Sequence, residues 1–393
     1  MKRKIDSHGG ADMIKLVLSD LPGGADAFTL VAKFCYSIKF EIDVTNVAML
    51  RCAAEYLEMT EEYGKDVALV SNTENVLTDV VFTDLKSTIQ VLCSCQTLLP
   101  VAEDLRIVSR CINAIACILC RSSSKDSLGK HGFSKLGDSN TNHEPDAVTE
   151  WWADELLCLP IHSFQQVLQT IRSKGMQTGA IAGAVMHYAL QFLKTLSSNA
   201  RNDSEHLHEK VHLLDHHHHR IVLETIVNLL PAEKRLVPMG FLFRLLWASR
   251  LLDTTIACQM DLERRIGAEL DQTTLEDLVI HSSSCANGAL FDVDFVHRLV
   301  VTFVQKNDDD DVGDEDGDIP ISPHFHIGSA ASNSGSEMTM RKVSKLIDTF
   351  LAEVAADPNL PASKFIKLSD AVPKSSRIDH DGIYRAVDVY LKV

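Results

Sequence analysis

Val343, Ile347, Phe350, Leu351 and Val354 fall at i, i+4, i+7, i+8 and i+11. That spacing gathers all five on one side of a 3.6-residue helix and would scatter them over both faces of a strand. The same period recurs along most of the chain. It sets Phe28, Val31, Ala32 and Cys35 on one helix after a Pro-Gly-Gly turn, and Val47, Leu50, Ala54 and Leu57 on a second that Thr45 or Asn46 can cap. Further apolar spacing predicts helices between 74 and 120, and over 151–172, 179–196, 221–230, 238–253, 258–270 and 291–305, with Pro231 and Pro238 as punctuation. Ile383, Ala386, Val387, Tyr390 and Leu391 form the last apolar face, and its final carbonyls have no following cap, as if a longer chain had been cut. Only IKFEI (38–42) and MIKLVLSDL (13–21) have the alternation of short strands. No fixed period of 30 to 45 residues emerges, so the expected fold is mainly α, an irregular stack of helices rather than a repeat array.

Three polar tracts interrupt the helices: 121–147, 197–219 and 306–339. Each lacks the large apolar side chains that would offset the entropy of ordering it, so each is expected to be a mobile linker.

Charge narrows the classes of partner. With 38 basic against 54 acidic residues the chain has a net charge of −16, and no basic face gathers its Lys and Arg, so nucleic acid is not expected as a partner. The ten cysteines are irregularly spaced and mostly inside apolar runs, a pattern of reduced, buried thiols in an intracellular protein rather than of a disulfide framework. Apolar stretches are cut by charges such as Arg244 and Arg250, and MKRKIDSHGG has no apolar core, so neither a transmembrane segment nor a signal peptide is expected.

The signals for chemistry are few. HEKVH at 208–212 has the two-histidine spacing of zinc peptidases, with His208 and His212 as ligands, Glu209 as base and His218 at the position of a third ligand. The longer pattern requires a glycine at 215 to turn the chain, and this sequence has Asp215. Seven histidines fall within residues 206–219, where chance matches are expected and apolar groups that would orient ligands are scarce. Adventitious metal binding therefore outranks a peptidase site. Cys117 and Cys120 lie in an apolar run with no second pair at ligand spacing, Cys93 and Cys95 are too close for the usual two-residue knuckle, and both pairs read as buried helical thiols. The acidic run DDDDVGDEDGD fails as a calcium loop, because aligning Gly317 puts Val312 at the first ligand position and no glutamate at the twelfth. In LGKHGF, His131 stands where a phosphate loop needs Ser or Thr. Phe241, Leu242, Leu245 and Leu246 make an apolar stripe that is expected in a core. No catalytic residue, metal ligand or cofactor site is therefore assigned, and the helical body is expected to work by binding other proteins.

Five blocks carry a specific resemblance: LPGGADAFTLVAKFCYSIKFEIDVTNVAMLRCAAEYLEMTEEYG, WWADELLCLPIHSFQQVLQTIRSKGM, LLDTTIACQMDLERRIGAELDQTTLEDLVI, LFDVDFVHRLVV and DGIYRAVDVYLK. In this order the chain resembles the plant BTB/POZ family of phototropic-response proteins, of the non-phototropic-hypocotyl and root-phototropism type. The resemblance implies a partial BTB/POZ α/β half-domain over 1–73 and a helical connector over 74–120. After a linker over 121–147, it implies a family-specific helical domain over 148–393 that opens at Trp151 and Trp152. It also implies a non-catalytic substrate adaptor of a BTB-type cullin-RING ubiquitin ligase. Its partners would be a cullin scaffold, phototropin-like receptor kinases and family members, in the cytoplasm or peripherally at the plasma membrane. The chain departs from the family pattern at both ends, where BTB strands and further C-terminal helices are missing, and at Ala153, where an aromatic is usual; the lost strands put dimerisation and cullin binding in doubt. A signalling scaffold at the membrane without a ligase role is the alternative. A tyrosine-phosphorylation signature of the family corresponds to Tyr384, against a reading in which Tyr384 and Tyr390 only pack a docking helix.

Overall fold

The computed structural model describes residues 18, 20–59, 69–126, 151–202, 209–282, 291–312, 330–377 and 379–393. Among them every regular element is a helix, as the dominant period predicts. They form two compact units, one reaching to Arg201 and one beginning at Asn202.

The first unit opens with α1 (Gly24–Cys35) and α2 (Val47–Tyr56). Gly23 precedes α1 at φ 78°, and a Cβ there would lie 2.1 Å from Met49 Cγ, so the turn needs glycine for both its backbone angle and its space. Leu21, Ala27, Val31, Leu50, Ala53, Ala54, Met59 and Leu69 form one core. The inward face of α1 is thus Ala27, Val31 and Phe34, whereas Phe28 and Cys35, expected inside, face solvent. Both sets satisfy helical spacing, and packing on Leu50, Ala53 and Ala54 of α2 selects the one that places Ala27 and Val31 inside.

The expected strand IKFEI is not one. Residues 38–43 have no regular secondary structure, although Phe40 and Ile42 do pack on the core while Lys39 and Glu41 are exposed. The alternation holds from Lys39 to Ile42, while Ile38 is exposed, but a strand needs a ladder partner, and the described residues supply none. Instead, Asn46 Nδ2 donates to the Glu41 carbonyl at 3.0 Å, and Asp43 Oδ1 accepts the backbone N–H groups of Thr45 and Asn46. Neither Thr45 nor Asn46 caps α2 through its own side chain. Of MIKLVLSDL, the stretch 13–17 and Ser19 lie outside the described residues.

Helices α3 (Leu69–Asp79), α4 (Leu85–Ser94), α5 (Val101–Asp104) and α6 (Ile107–Asp126) continue the unit. Arg51 of α2, Glu74 of α3 and Arg110 of α6 meet there: Glu74 accepts from Arg51 Nε and from Arg110 Nη1, each at 2.8 Å. Burial opposes ionisation of Glu74, but the bonds from Arg51 and Arg110 outweigh it and hold the carboxyl below the usual carboxylate range. Arg110 also lies 4.9 Å from the Phe82 ring centre. After residue 150, α7 (Ala153–Leu156), α8 (Ile161–Ser173) and α9 (Thr178–Asn202) follow. Of the tryptophan pair that opens this stretch, Trp152 is buried and Trp151 exposed. Tyr188 stacks on Phe164 with ring centres 4.2 Å apart and donates to the Leu159 carbonyl at 3.1 Å, which fixes α9 on α8.

The second unit contains α10 (Glu209–Leu229), α11 (Met239–Leu251), α12 (Ile256–Ala268), α13 (Leu275–Ser282), α14 (Val293–Val312), α15 (Ala330–Val354), α16 (Ala362–Asp370) and α17 (Asp381–Tyr390). Phe241, Leu242, Leu245 and Leu246 are core residues, as their spacing predicts. Gly267 lets α12 approach α14 closely, since a Cβ there would lie 2.8 Å from Thr302 Cβ. Arg298 of α14 donates to both carboxylate oxygens of Glu263 on α12, at 2.8 and 2.9 Å, across the same contact.

Helical backbone enters all three polar tracts: α6 runs to Asp126, α9 to Asn202 with α10 resuming at Glu209, and α14 to Val312 with α15 resuming at Ala330. Residues 127–150, 203–208 and 313–329 lie outside the described set.

Candidate functional site

The family-like block DGIYRAVDVYLK folds as α17 and packs against α15. α15 turns Val343, Ile347, Phe350, Leu351 and Val354 into the core, as the sequence predicts, and buries Ser344 and Asp348 beside them. Asp348 is there for a partner from outside the helix. Arg377, in the link before α17, donates Nη2 to Asp348 Oδ1 at 3.0 Å, and both side chains are less than a tenth exposed, at 7% and 8%. Arg377 also donates to the Ser369 carbonyl at 3.0 Å, so one guanidinium joins α15, the end of α16 and the link to α17. Gly382 completes the seat: a Cβ there would lie 3.1 Å from Asp348 Cβ, tight enough to push α17 away.

A cleft of about 430 Å³ opens over this pair, with Arg341 and Lys345 on one wall and Asp379, Asp381 and Arg385 on the other. Arg377 is neutralised by Asp348, and Arg341 pairs with Glu337. What remains is Lys345 and Arg385 facing Asp379 and Asp381, a charge-balanced polar groove. Such a groove suits the mixed donors and acceptors of a peptide better than a lone anion or cation.

The far end of α17 is anchored by Tyr390, whose hydroxyl donates to the Leu360 carbonyl at 2.8 Å and whose ring stacks on Phe365 at 4.9 Å. These anchors divide the apolar face predicted for this helix. Ala386 is buried and Ile383 half-buried, whereas Val387 and Leu391 point outward with Tyr384, which is 69% exposed. Tyr384, Val387 and Leu391 at i, i+3 and i+7 make an exposed ridge beside the cleft, of the kind that docks on another protein. Of the two tyrosines, only Tyr390 packs in the way the docking-helix reading describes; Tyr384 is open to solvent.

The other sequence candidates fall partly outside the described residues. His208 lies outside the described residues, Glu209 and His212 belong to the first turn of α10, and His218 is exposed with its ring centre 6.2 Å from that of His219. Among the described residues no three His, Cys, Asp or Glu side chains are grouped to hold a metal ion. Cys117 and Cys120 are half-buried on α6, and burial raises the Cys120 thiol above its ordinary range. Cys95 is fully buried, and burial pushes its thiol up to about 12. No helix among the described residues is long and apolar enough to cross a membrane.

Sequence reasoning missed two features. Asp348 and Arg377 are 29 residues apart, and Asp348 sits one position off its apolar stripe, where it passes for a solvated residue. Trp247, Leu251, Ile256 and Met260 are exposed around the turn from α11 to α12. The signal for them was there: α11 carries apolar residues on more faces than one core can cover.

The NPH3 family model matches residues 150–393. The matched segment therefore begins with α7, α8 and most of α9, which belong to the first compact unit. The chain is 40% identical over its full length to the BTB/POZ domain-containing protein At5g48800 of Arabidopsis thaliana, and covers 60% of it. It is 38% identical over 98% of its length to the BTB/POZ domain-containing protein SR1IP1 of the same plant, covering 61% of that protein. It is 33% identical over its full length to the plant's Root phototropism protein 2, covering 61%. The chain thus spans about three fifths of the length of the curated relatives it matches. No solved structure matches.

Proposed function

Because the chain belongs to the NPH3 family, we propose that it is a non-catalytic substrate adaptor of a BTB-type cullin-RING ubiquitin ligase. It would serve in signalling of the phototropic-response type. The observation that carries this reading is the match of the whole chain, not of one domain, to proteins named for a BTB/POZ domain. The match to the relative named for root phototropism again covers this whole chain, and 61% of that protein. In this role the residues upstream of 150 contact the cullin scaffold, and the family-matched segment holds the client, with the α17 ridge and its groove as the client-facing surface. Clients of the phototropin-like receptor kinase class place the protein in the cytoplasm, peripherally at the plasma membrane. Tyr384, exposed on that ridge, is the tyrosine a kinase would reach, and a phosphate there would add negative charge beside Arg385.

The test is co-precipitation of the tagged full chain with purified cullin and, separately, with the cytoplasmic part of a blue-light receptor kinase. Capture of the cullin, weakened when residues before 74 are removed, supports the adaptor role. Capture of the kinase without the cullin replaces it with a signalling scaffold that has no ligase role.

A further inference from the structure

We propose that Cys93 and Cys158 are an oxidation site that closes into a reversible disulfide, tying the end of α4 to the start of the family-matched segment. Cys93 is in the last turn of α4, and Cys158 follows α7, 65 residues along the chain. The Cys93 thiol donates to the Cys158 carbonyl oxygen at 3.6 Å. The two thiols also act on each other directly: burial, followed by the neighbouring Cys158 sulfur, raises Cys93 to about 11. Surrounding contacts already hold the two segments in register, because α4 and α7 touch and Gln96 Nε2 donates to Ser163 Oγ at 3.1 Å. A bond between the sulfurs therefore joins segments that packing already holds together, and requires the Cys158 thiol to leave the Glu155 carbonyl, to which it donates at 3.1 Å.

The two thiols differ in access, and that difference assigns their roles. Cys158 and Cys35 are the exposed thiols among the described residues, while Cys52, Cys95 and Cys111 nearby are buried. A hydroperoxide thus meets Cys158 first. The Cys158 sulfur forms an S–O bond as the O–O bond breaks, giving a sulfenic acid and releasing an alcohol, or water when the oxidant is hydrogen peroxide. Cys93 then attacks the Cys158 sulfur. The S–S bond forms, the S–O bond breaks, and the departing hydroxide takes the Cys93 proton and leaves as water. Two thiols supply two electrons to one hydroperoxide, and exchange with a free thiol reverses the bond. Burial keeps Cys93 in its thiol form, and since the thiolate is the attacking form its proton leaves as the S–S bond forms. Cys35 has no such arrangement and serves as the internal control.

The experiment treats the reduced full chain with hydrogen peroxide, blocks the remaining thiols by alkylation, and maps linked peptides by mass spectrometry without reduction. The expected result is a Cys93–Cys158 peptide as the main intramolecular link. It should be accompanied by a rise of roughly 5 °C in the unfolding midpoint of the first unit, reversed by dithiothreitol. Cys158→Ser changes an exposed side chain, so it keeps the fold and should lose both effects, whereas Cys35→Ser should keep both. The proposal is overturned if Cys158 is recovered as sulfinic acid or in an intermolecular dimer while Cys93 stays reduced. It is equally overturned if the peroxide-dependent rise in the midpoint persists in Cys158→Ser.

Discussion

Each compact unit contains a charged cluster that joins helices, Arg51–Glu74–Arg110 in the first and Asp348–Arg377 in the second, and these two are built differently. In the first, Glu74 is shared by Arg51 and Arg110, and Arg51 has a second carboxylate in Glu55. Glu74 and Arg110 keep about a third of their side-chain surface, at 30% and 35%. In the second, Asp348 and Arg377 are nearly sealed and have no other charged partner among the described residues. The first cluster is redundant and solvent-tolerant. The second is a single desolvated pair, so it is strong only while both members are present. The difference also follows position: the first cluster braces the interior of a helical stack, whereas the second seats α17, the helix that carries the exposed ridge.

Breaking the second pair should therefore have the largest effect. Asp348→Ala leaves the Arg377 guanidinium buried with carbonyl partners only, and is expected to destabilise the second unit by about 3 kcal/mol, measured by urea unfolding. The double variant Asp348→Leu with Arg377→Met should recover most of that loss, because an apolar pair of similar volume removes the stranded charge. Recovery would locate the energy in desolvation; continued loss would locate it in the bonds from Arg377 to the Ser369 carbonyl and the α17 link.

The first cluster should yield less. Glu74→Gln keeps an acceptor for one arginine, leaves Arg51 with Glu55, and is expected to cost about 1 to 2 kcal/mol in the first unit. The pH dependence sharpens the contrast. The folded Glu74 carboxyl lies below its ordinary range, so its contribution is fully present above the unfolded value of about 4.3 and is lost as pH falls through the folded value. The gap between the parent and Glu74→Gln unfolding midpoints should hold at pH 6 to 8 and close in acid below that range. A gap that stays constant into acid would mean that packing, not charge, holds the three helices.

How far the sequence disclosed these features follows from the range of the interactions involved. Apolar spacing located the helices and the buried faces of α11 and α15, because burial of a helix face is written in residues three and four apart. The cap expected from Thr45 or Asn46 failed locally, to Asp43, but the larger failures needed a partner distant in sequence. Two faces of α1 satisfied the same period, and packing on Leu50, Ala53 and Ala54 of α2 decided between them. IKFEI alternated correctly yet had no strand to pair with. Asp348 carried no signal in the sequence, because its partner Arg377 lies 29 residues on. The last apolar face was read as one stripe, but the anchors of Tyr390 on Leu360 and Phe365 rotate half of it into solvent. The block DGIYRAVDVYLK was legible as a family signature before it was legible as a surface.

The smallest expected change in stability carries the sharpest functional meaning. Leu391 is 78% exposed and Tyr384 69%, so Leu391→Ser and Tyr384→Phe should each leave the unfolding midpoint of the second unit within about 0.5 kcal/mol of the parent. If the ridge is where clients dock, Leu391→Ser should nevertheless weaken capture of the receptor-kinase probe several-fold, because apolar anchors dominate binding where they do not contribute to folding. Asp348→Ala should weaken it too, through the displaced seat of α17, but with the stability loss that Leu391→Ser lacks. A ridge variant that loses stability and keeps capture would reverse the assignment, making the outward face of α17 part of the fold and leaving the exposed residues around the α11 to α12 turn as the surface to probe.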